Sequence, residues 1–267
     1  MRKKRKQNTA GVWILLICSI CVMTFSAYKL WETQQVYEEG DQNYGKLQEQ
    51  IRQPDATDTG PATAPAAEGP AAEPLAIIPP ISIDFDALEN INADSVAWLY
   101  CPDTVIDYPV MAAADYDWYL HHLPDGSPNA NGSLFLDYNC PSDFSGRLNI
   151  IYGHHMKSGK MFGSLAGYKK QAYYEQHPYM YLYTRQGSYR IDLTYGCVIS
   201  AGEWRERAFM YEINLDALLS YAAAKTTFES DAKYNNDDKF IVLSTCSYEF
   251  DDARYVVIAV LRPEYTS

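Results

Sequence analysis

Hydrophobic and polar positions fall into three regimes along the 267-residue chain. From Val12 to Tyr28 the chain is nearly all apolar, and no charge interrupts Gln7 to Tyr28. At a rise of ~1.5 Å per residue, such a helix comes close to spanning a hydrocarbon core of about 30 Å. Next comes a weaker pattern in which Leu30, Tyr37, Tyr44 and Ile51 recur every seventh residue, with Gly40 and Gly45 between them. A stable coiled coil wants at least three or four sustained heptads, so this stripe predicts a short solvated helix rather than a self-association stalk. From about Ile81 onward the apolar residues gather into short runs rich in β-branched and aromatic side chains, the mark of strands.

Those runs predict strands at 133–137, 147–152, 179–184, 189–199, 239–246 and 254–261. Arg185-Gln186-Gly187-Ser188 joins two of them as a hairpin turn. Helices are predicted at about Met161 to Tyr174 and at Leu215 to Phe228, the latter with an Ala-rich face. Strands outnumber helices, which implies a mostly antiparallel sheet, closing into a barrel with peripheral helices.

Charge sharpens the reading of the N-terminal third. The chain carries 22 Lys+Arg against 34 Asp+Glu, a net charge of -12, yet Arg2, Lys3, Lys4, Arg5 and Lys6 place five positive charges ahead of the apolar run. Basic residues before a span favour a cytoplasmic N-terminus and an exported C-terminus. A cleaved signal peptide is disfavoured because Phe25-Ser26-Ala27 offers a bulky Phe where a small residue belongs. A lipid-modified Cys18 is disfavoured by Ile17, and a buried core helix by the basic cluster beside it. From Gln53 to Pro80, Pro and Ala fill 15 of 28 positions, a semi-rigid extended linker. The expected organisation is therefore a cytoplasmic basic tail at 1–10, an uncleaved signal anchor at 11–30, a stalk and linker at 31–80, and an extracellular folded domain at 81–267. The acidic remainder excludes a nucleic-acid binder, and no phosphate-binding Gly loop or metal-ligand spacing occurs.

Cys246 closes one predicted strand and Arg254 opens the next, with seven residues between them. Such a connection makes the strands antiparallel neighbours, bringing thiol and guanidinium within reach of each other. Gly153-His154-His155 follows a third strand, where a loop carries an imidazole toward the same region. A nucleophile, an acid/base and an anion stabiliser would then converge on an open cleft. Each residue also has a plain structural reading: Cys246 as a small buried hydrophobe, the His pair as loop polarity, Arg254 as a surface partner of Asp251 or Asp252. Cys18 and Cys21 lie in the apolar run, leaving Cys101, Cys140, Cys197 and Cys246 outside it. If Cys246 stays free, three remain, which is no disulfide framework.

At these positions the sequence resembles the sortases, membrane-anchored cysteine transpeptidases of Gram-positive bacteria. Ile151-Tyr152-Gly153-His154-His155-Met156, Leu243-Ser244-Thr245-Cys246 and Arg254 match the family's His, Leu-x-Thr-Cys and Arg elements in order. The likeness runs from about Ile81 to Leu261 and takes in Trp98-Leu99, Tyr108-Pro109-Val110 and Gly132-Ser133-Leu134-Phe135. It is nearest class B, whose extra helix would fit between Ser200 and Phe240. The resemblance implies an eight-stranded β-barrel. It also implies that Cys246 attacks the Thr carbonyl of a C-terminal sorting signal, that His154 serves as acid and base, and that Arg254 holds the substrate backbone or the oxyanion. His154 takes the role over His155 because the family's catalytic His directly follows the Gly. By the same resemblance Leu120, Tyr152 and Ser244 would line a groove for an Asn-Pro-x-Thr-like signal. The implied partners are surface proteins bearing such signals, the amine of a peptidoglycan precursor or cross-bridge, and the membrane through the N-terminal helix. Glu249, Asp251 and Asp252 suggest a calcium loop, but class B enzymes are not expected to use calcium; no cofactor or metal is expected, and these charges read as solvated. Two other readings stand beside this one: a Cys/His cell-wall hydrolase, and a non-catalytic surface protein with an inert Cys246.

Overall fold

The computed structural model describes residues 9–54, 79–208, 215–235 and 237–263. The basic cluster at 2–6 and nearly all of the Pro/Ala-rich linker lie outside the described residues. A single helix, α1 (Thr9–Ile51), leads directly into the short strand β1 (Arg52–Pro54), which pairs antiparallel with β2 (Ile81–Ile83). After α2 (Phe85–Ile91) come β3 (Ser95–Tyr100), β4 (Asp107–Ala112), β5 (Leu134–Leu136) and β6 (Leu148–Tyr152). A 3-10 stretch at Phe162–Lys169 and α3 (Gln171–Gln176) precede β7 (Tyr179–Thr184) and β8 (Gly187–Ser200). Two helices, α4 (Ala201–Ala208) and α5 (Leu215–Lys225), separate β8 from β9 (Lys239–Cys246) and β10 (Ala253–Pro263).

β3 to β10 close into an eight-stranded barrel in the order β10-β8-β7-β3-β4-β5-β6-β9. Most neighbours are antiparallel; β4–β5 and β6–β9 are parallel. β9 and β10 are almost continuously buried, because one face fills the barrel and the other is covered by the 3-10 stretch and the flanking helices. Their unbroken runs Phe240-Ile241-Val242-Leu243 and Tyr255-Val256-Val257-Ile258-Ala259-Val260 are what two-sided burial requires.

The predicted strands and the closed, mostly β architecture are present. The helix expected at Met161 to Tyr174 is instead split into the 3-10 stretch and α3, with Gly167 lying against the Tyr173 ring. The helix expected at Leu215 to Phe228 is α5; α4 was not anticipated.

The reading of residues 31–51 as a solvated helix is corrected. Leu30 and Tyr37 are exposed, but Gly40, Tyr44, Leu47 and Ile51 form one buried face against the domain. Their 4-3-4 spacing keeps them in line on a 3.6-residue helix, whereas the seven-residue count mixed solvent and core positions. Gly40 is not a break: a side chain there would run into Asn129 and Asn131, so its lack of a Cβ is what lets the helix approach. Asn129 Nδ2 and Asn131 Nδ2 donate to the carbonyls of Val36 and Tyr37, Gln48 Nε2 donates to Asp107 O, and Arg52 pairs with the Asp107 carboxylate at 2.8 Å. Trp98 Nε1 donates to the other oxygen of Asp107 at 2.7 Å. The folded unit thus takes in the end of α1 as well as residues from Ile81 onward. Upstream, Trp13, Leu15, Val22 and Phe25 are exposed, on a helix whose apolar window is long enough to cross a bilayer.

Candidate active site

The parallel pairing of β6 with β9 sets Tyr152 opposite Ser244. Gly153 N continues the ladder by donating to Ser244 O at 3.2 Å, and Thr245 Oγ1 donates to Gly153 O at 2.8 Å. These bonds carry His154 alongside Cys246, the last residue of β9. In the antiparallel register of β9 with β10, Arg254 lies directly opposite Cys246. Directly opposed residues share a face with Cβ atoms about 4.5–5.5 Å apart. Three adjacent strands, β6, β9 and β10, therefore deliver imidazole, thiol and guanidinium to one end of the barrel.

All three side chains line a single open cavity of about 260 Å³. Cys246 is exposed, while His154 and Arg254 are half-buried. The Arg254 guanidinium bonds only the neighbouring Ala253 carbonyl and pairs with no carboxylate among the described residues, so the surface pair with Asp251 or Asp252 is not formed. Its charge stays available to an anion. The other three thiols outside the apolar run differ sharply: Cys101, Cys140 and Cys197 are buried, and burial pushes Cys140 and Cys197 up to about 12.

A carbonyl can only accept, and that settles two tautomers. His154 Nε2 donates to Leu120 O at 2.7 Å, which leaves Nδ1 as the nitrogen with a free lone pair in the neutral ring. His155 Nδ1 donates to Cys246 O at 2.7 Å, and its ring lies edge-on to Tyr248. His155 is thus a tether on the backbone that bears the sulfur. Behind Cys246, Lys169 bonds both Ser247 and Glu249, and Ser247 bonds Glu249. Burial would raise the Glu249 carboxyl, but the bonds from Lys169 and Ser247 outweigh it and hold the group down at about 2. The suspected calcium carboxylate is committed to an ammonium.

Leu120, Tyr152 and Ser244, the expected groove residues, line the same cavity. Ser244 Oγ is buried and has no hydrogen-bond partner among the described residues. Sequence reasoning missed the remaining wall: Tyr116, Phe135, Ala201 and Trp204. It also missed Asp137, a fully buried carboxylate that accepts from both Tyr116 and Tyr152 hydroxyls at 3.0 Å and fixes the two rings. Trp204 stands in α4, an isolated bulky aromatic in a polar stretch, and that isolation was the available signal.

No family model matches the chain. Among curated relatives, sortase B of Listeria monocytogenes is 32% identical over 165 residues, covering 61% of this chain and 67% of the relative. Sortase B of Staphylococcus aureus is 28% identical over 178 residues, covering 66% and 73%. Among solved structures, Clostridium perfringens sortase B superposes with a TM-score of 0.62 at 27% identity, covering 67% of this chain and 99% of that one. A Staphylococcus aureus sortase B–substrate complex gives 0.62 at 27% identity, covering 68% and 85%. A sortase B complexed with triglycine gives 0.60 at 27% identity, covering 68% and 86%. A closed barrel with Cys, His and Arg at one rim, together with these likenesses, defines a sortase-type cysteine transpeptidase. The chain belongs to the sortase family, class B.

Proposed function

We propose that this protein cleaves the C-terminal sorting signal of surface proteins after a Thr and transfers them to a cell-wall amine, with Cys246, His154 and Arg254 as the reacting groups. The Cys246 thiolate attacks the Thr carbonyl carbon, giving a tetrahedral oxyanion that faces the Arg254 guanidinium, a charge that cannot be lost by deprotonation. The Cys246 thiol's proton is held at Nδ1 of His154 as imidazolium; the C–N bond breaks as that Nδ1–H passes to the leaving amine, and a thioacyl enzyme with a neutral imidazole remains. An incoming amine then loses a proton to the neutral Nδ1 as it attacks the thioester, and the thiolate departs. Leu120, Tyr152 and Ser244 contact the signal upstream of the Thr, with Ser244 Oγ supplying a hydroxyl to a substrate polar group.

The single observation that carries the reading is the convergence on one cavity of the exposed thiol, the Nε2-anchored imidazole and a guanidinium that pairs with no carboxylate among the described residues. The sortase B structures described as a substrate complex and as complexed with triglycine support a peptide signal and an amino acceptor. The exposed apolar part of α1 supports a single-pass anchor, and the positive residues 2–6 favour a cytoplasmic N-terminus with the barrel outside.

Incubating the protein with sorting-signal peptides, with and without an oligoglycine amine, tests this. Mass spectrometry is expected to find a thioacyl adduct on Cys246, and added amine is expected to speed turnover and give an amide product. Release to water at a rate indifferent to amine supports a cell-wall hydrolase instead, and no adduct with no turnover supports the non-catalytic reading.

A further inference from the structure

The end of α1 reaches the loop that holds the His154 acceptor. Tyr44 is buried, and its hydroxyl donates to Gly132 O at 2.5 Å and lies 3.3 Å from Ser133 Oγ. Burial, first of all, pushes that phenol well above its ordinary range, so it remains a donor throughout the working pH. Gly132 has φ 59°, and a Cβ there would press on the carbonyls of Tyr119 and Leu120 and on the His154 ring. Ser133 N donates to Tyr119 O at 2.7 Å, and Ser133 Oγ donates to His122 O at 2.9 Å. The segment 119–122 is thereby fixed to 132–133 on both sides of Leu120, whose carbonyl receives His154 Nε2–H. Asp41 of the same helix pairs with Lys160, next to Met161, which bridges His155; Phe162 N donates to His154 O.

We infer that Tyr44 is a positioning residue for the transfer reaction: through Gly132 and Ser133 it sets the Leu120 carbonyl that orients His154 and fixes its tautomer. The helix leading out of the apolar span is on this account part of the frame of the active site. The inference rests on the proposed role of His154. No atom of Tyr44 meets substrate; its hydroxyl acts through one carbonyl, one glycine and one imidazole bond. Losing that bond leaves the ring in place and lets the Gly132 turn relax away from segment 119–122.

The test is Tyr44→Phe in the full-length protein in detergent micelles, with Asn43→Ala as the companion variant. Asn43 is on the same helix, and its side chain bonds the Asp125 carboxylate rather than Gly132 or Ser133. Tyr44→Phe is expected to lower kcat about tenfold with KM within about twofold. In 15N-histidine spectra the His154 signal is expected to move from a single Nε2–H form toward a mixture, whereas Asn43→Ala leaves kcat and that signal unchanged. Unchanged kcat and an unchanged His154 signal in Tyr44→Phe would overturn the inference. So would equal losses in both variants, which would make Tyr44 merely part of helix docking. His154→Ala separates the two claims: turnover in that variant removes the catalytic role of His154, while the His154 signal in Tyr44→Phe still reports whether Tyr44 positions the ring.

Discussion

Alanine at Gly40 and at Gly45 should move stability in opposite directions, although both glycines lie five residues apart in α1. On a solvated helix each replacement gains helix propensity, about 0.8–1 kcal/mol. Gly45 is in that situation, since a Cβ there meets nothing within 4 Å. At Gly40 the new methyl runs into Asn129 and Asn131, which are 7% and 1% exposed and are bonded to α1 carbonyls, so neither can swing aside. Overpacking of this kind costs roughly 1–3 kcal/mol. Subtracting the propensity gain leaves Gly40→Ala destabilised by about 1 kcal/mol, and separates the two variants by about 2 kcal/mol. For a domain of this size that is about 4–8 °C in Tm. Thermal unfolding followed by near-UV circular dichroism at fixed detergent concentration measures the difference. If Gly40→Ala unfolds at or above the temperature of Gly45→Ala, the helix does not dock on the barrel and the corrected fold boundary is wrong.

Other outcomes follow from the site. A thiol-directed electrophile near neutral pH is expected to label Cys246 far faster than Cys101, Cys140 or Cys197, whose burial disfavours the thiolate; comparable peptide-level labelling of all four would contradict this. Cys246→Ala is expected to fold normally and to show no cleavage by chromatography, and retained turnover would end the nucleophile assignment. Arg254→Lys is expected to cut kcat/KM about 100-fold because the planar fork is lost, whereas near-wild-type kinetics would remove the oxyanion role. Glu249 has a depressed folded-state pKa, so its contribution is fully present above the unfolded value near 4.5 and is lost as pH falls through about 2. Because the carboxylate is 37% exposed, solvent screening reduces the effect to about 1 kcal/mol. In acid titrations Glu249→Gln should flatten the wild-type stability loss in that window, and identical curves would mean that the Lys169 pair contributes nothing.

The meeting of His154, Cys246 and Arg254, the proposed reacting groups, was legible in the sequence because they sit at strand ends that are themselves strong signals. The apolar runs ending at Cys246 and beginning at Arg254 dictate an antiparallel pair, and the run ending at Tyr152 gives the neighbouring strand. Leu120, Tyr152 and Ser244 came from resemblance rather than from pattern, and all three line the cavity. Trp204 and Asp137 were missed because their placement depends on long-range packing: a helix folded back over β10 and a carboxylate buried between two distant tyrosines. The docking of α1 was missed for a simpler reason. Gly40 and the wrong period made a 4-3-4 contact face look like an interrupted heptad, and the intervening Pro/Ala stretch argued for separation between segments that β1 and β2 in fact tie together.

The parallel seam between β6 and β9 also acts as a check on correct assembly. Strand alternation means that sliding one partner by a single position would turn the sulfur and the imidazole to opposite sides of the wall. With Cys246 and His154 in their proposed roles, a chain that closed its barrel out of step would therefore be inert, not a misdirected acylating agent. On those roles, acyl-adduct formation would belong only to molecules that have already reached their final shape.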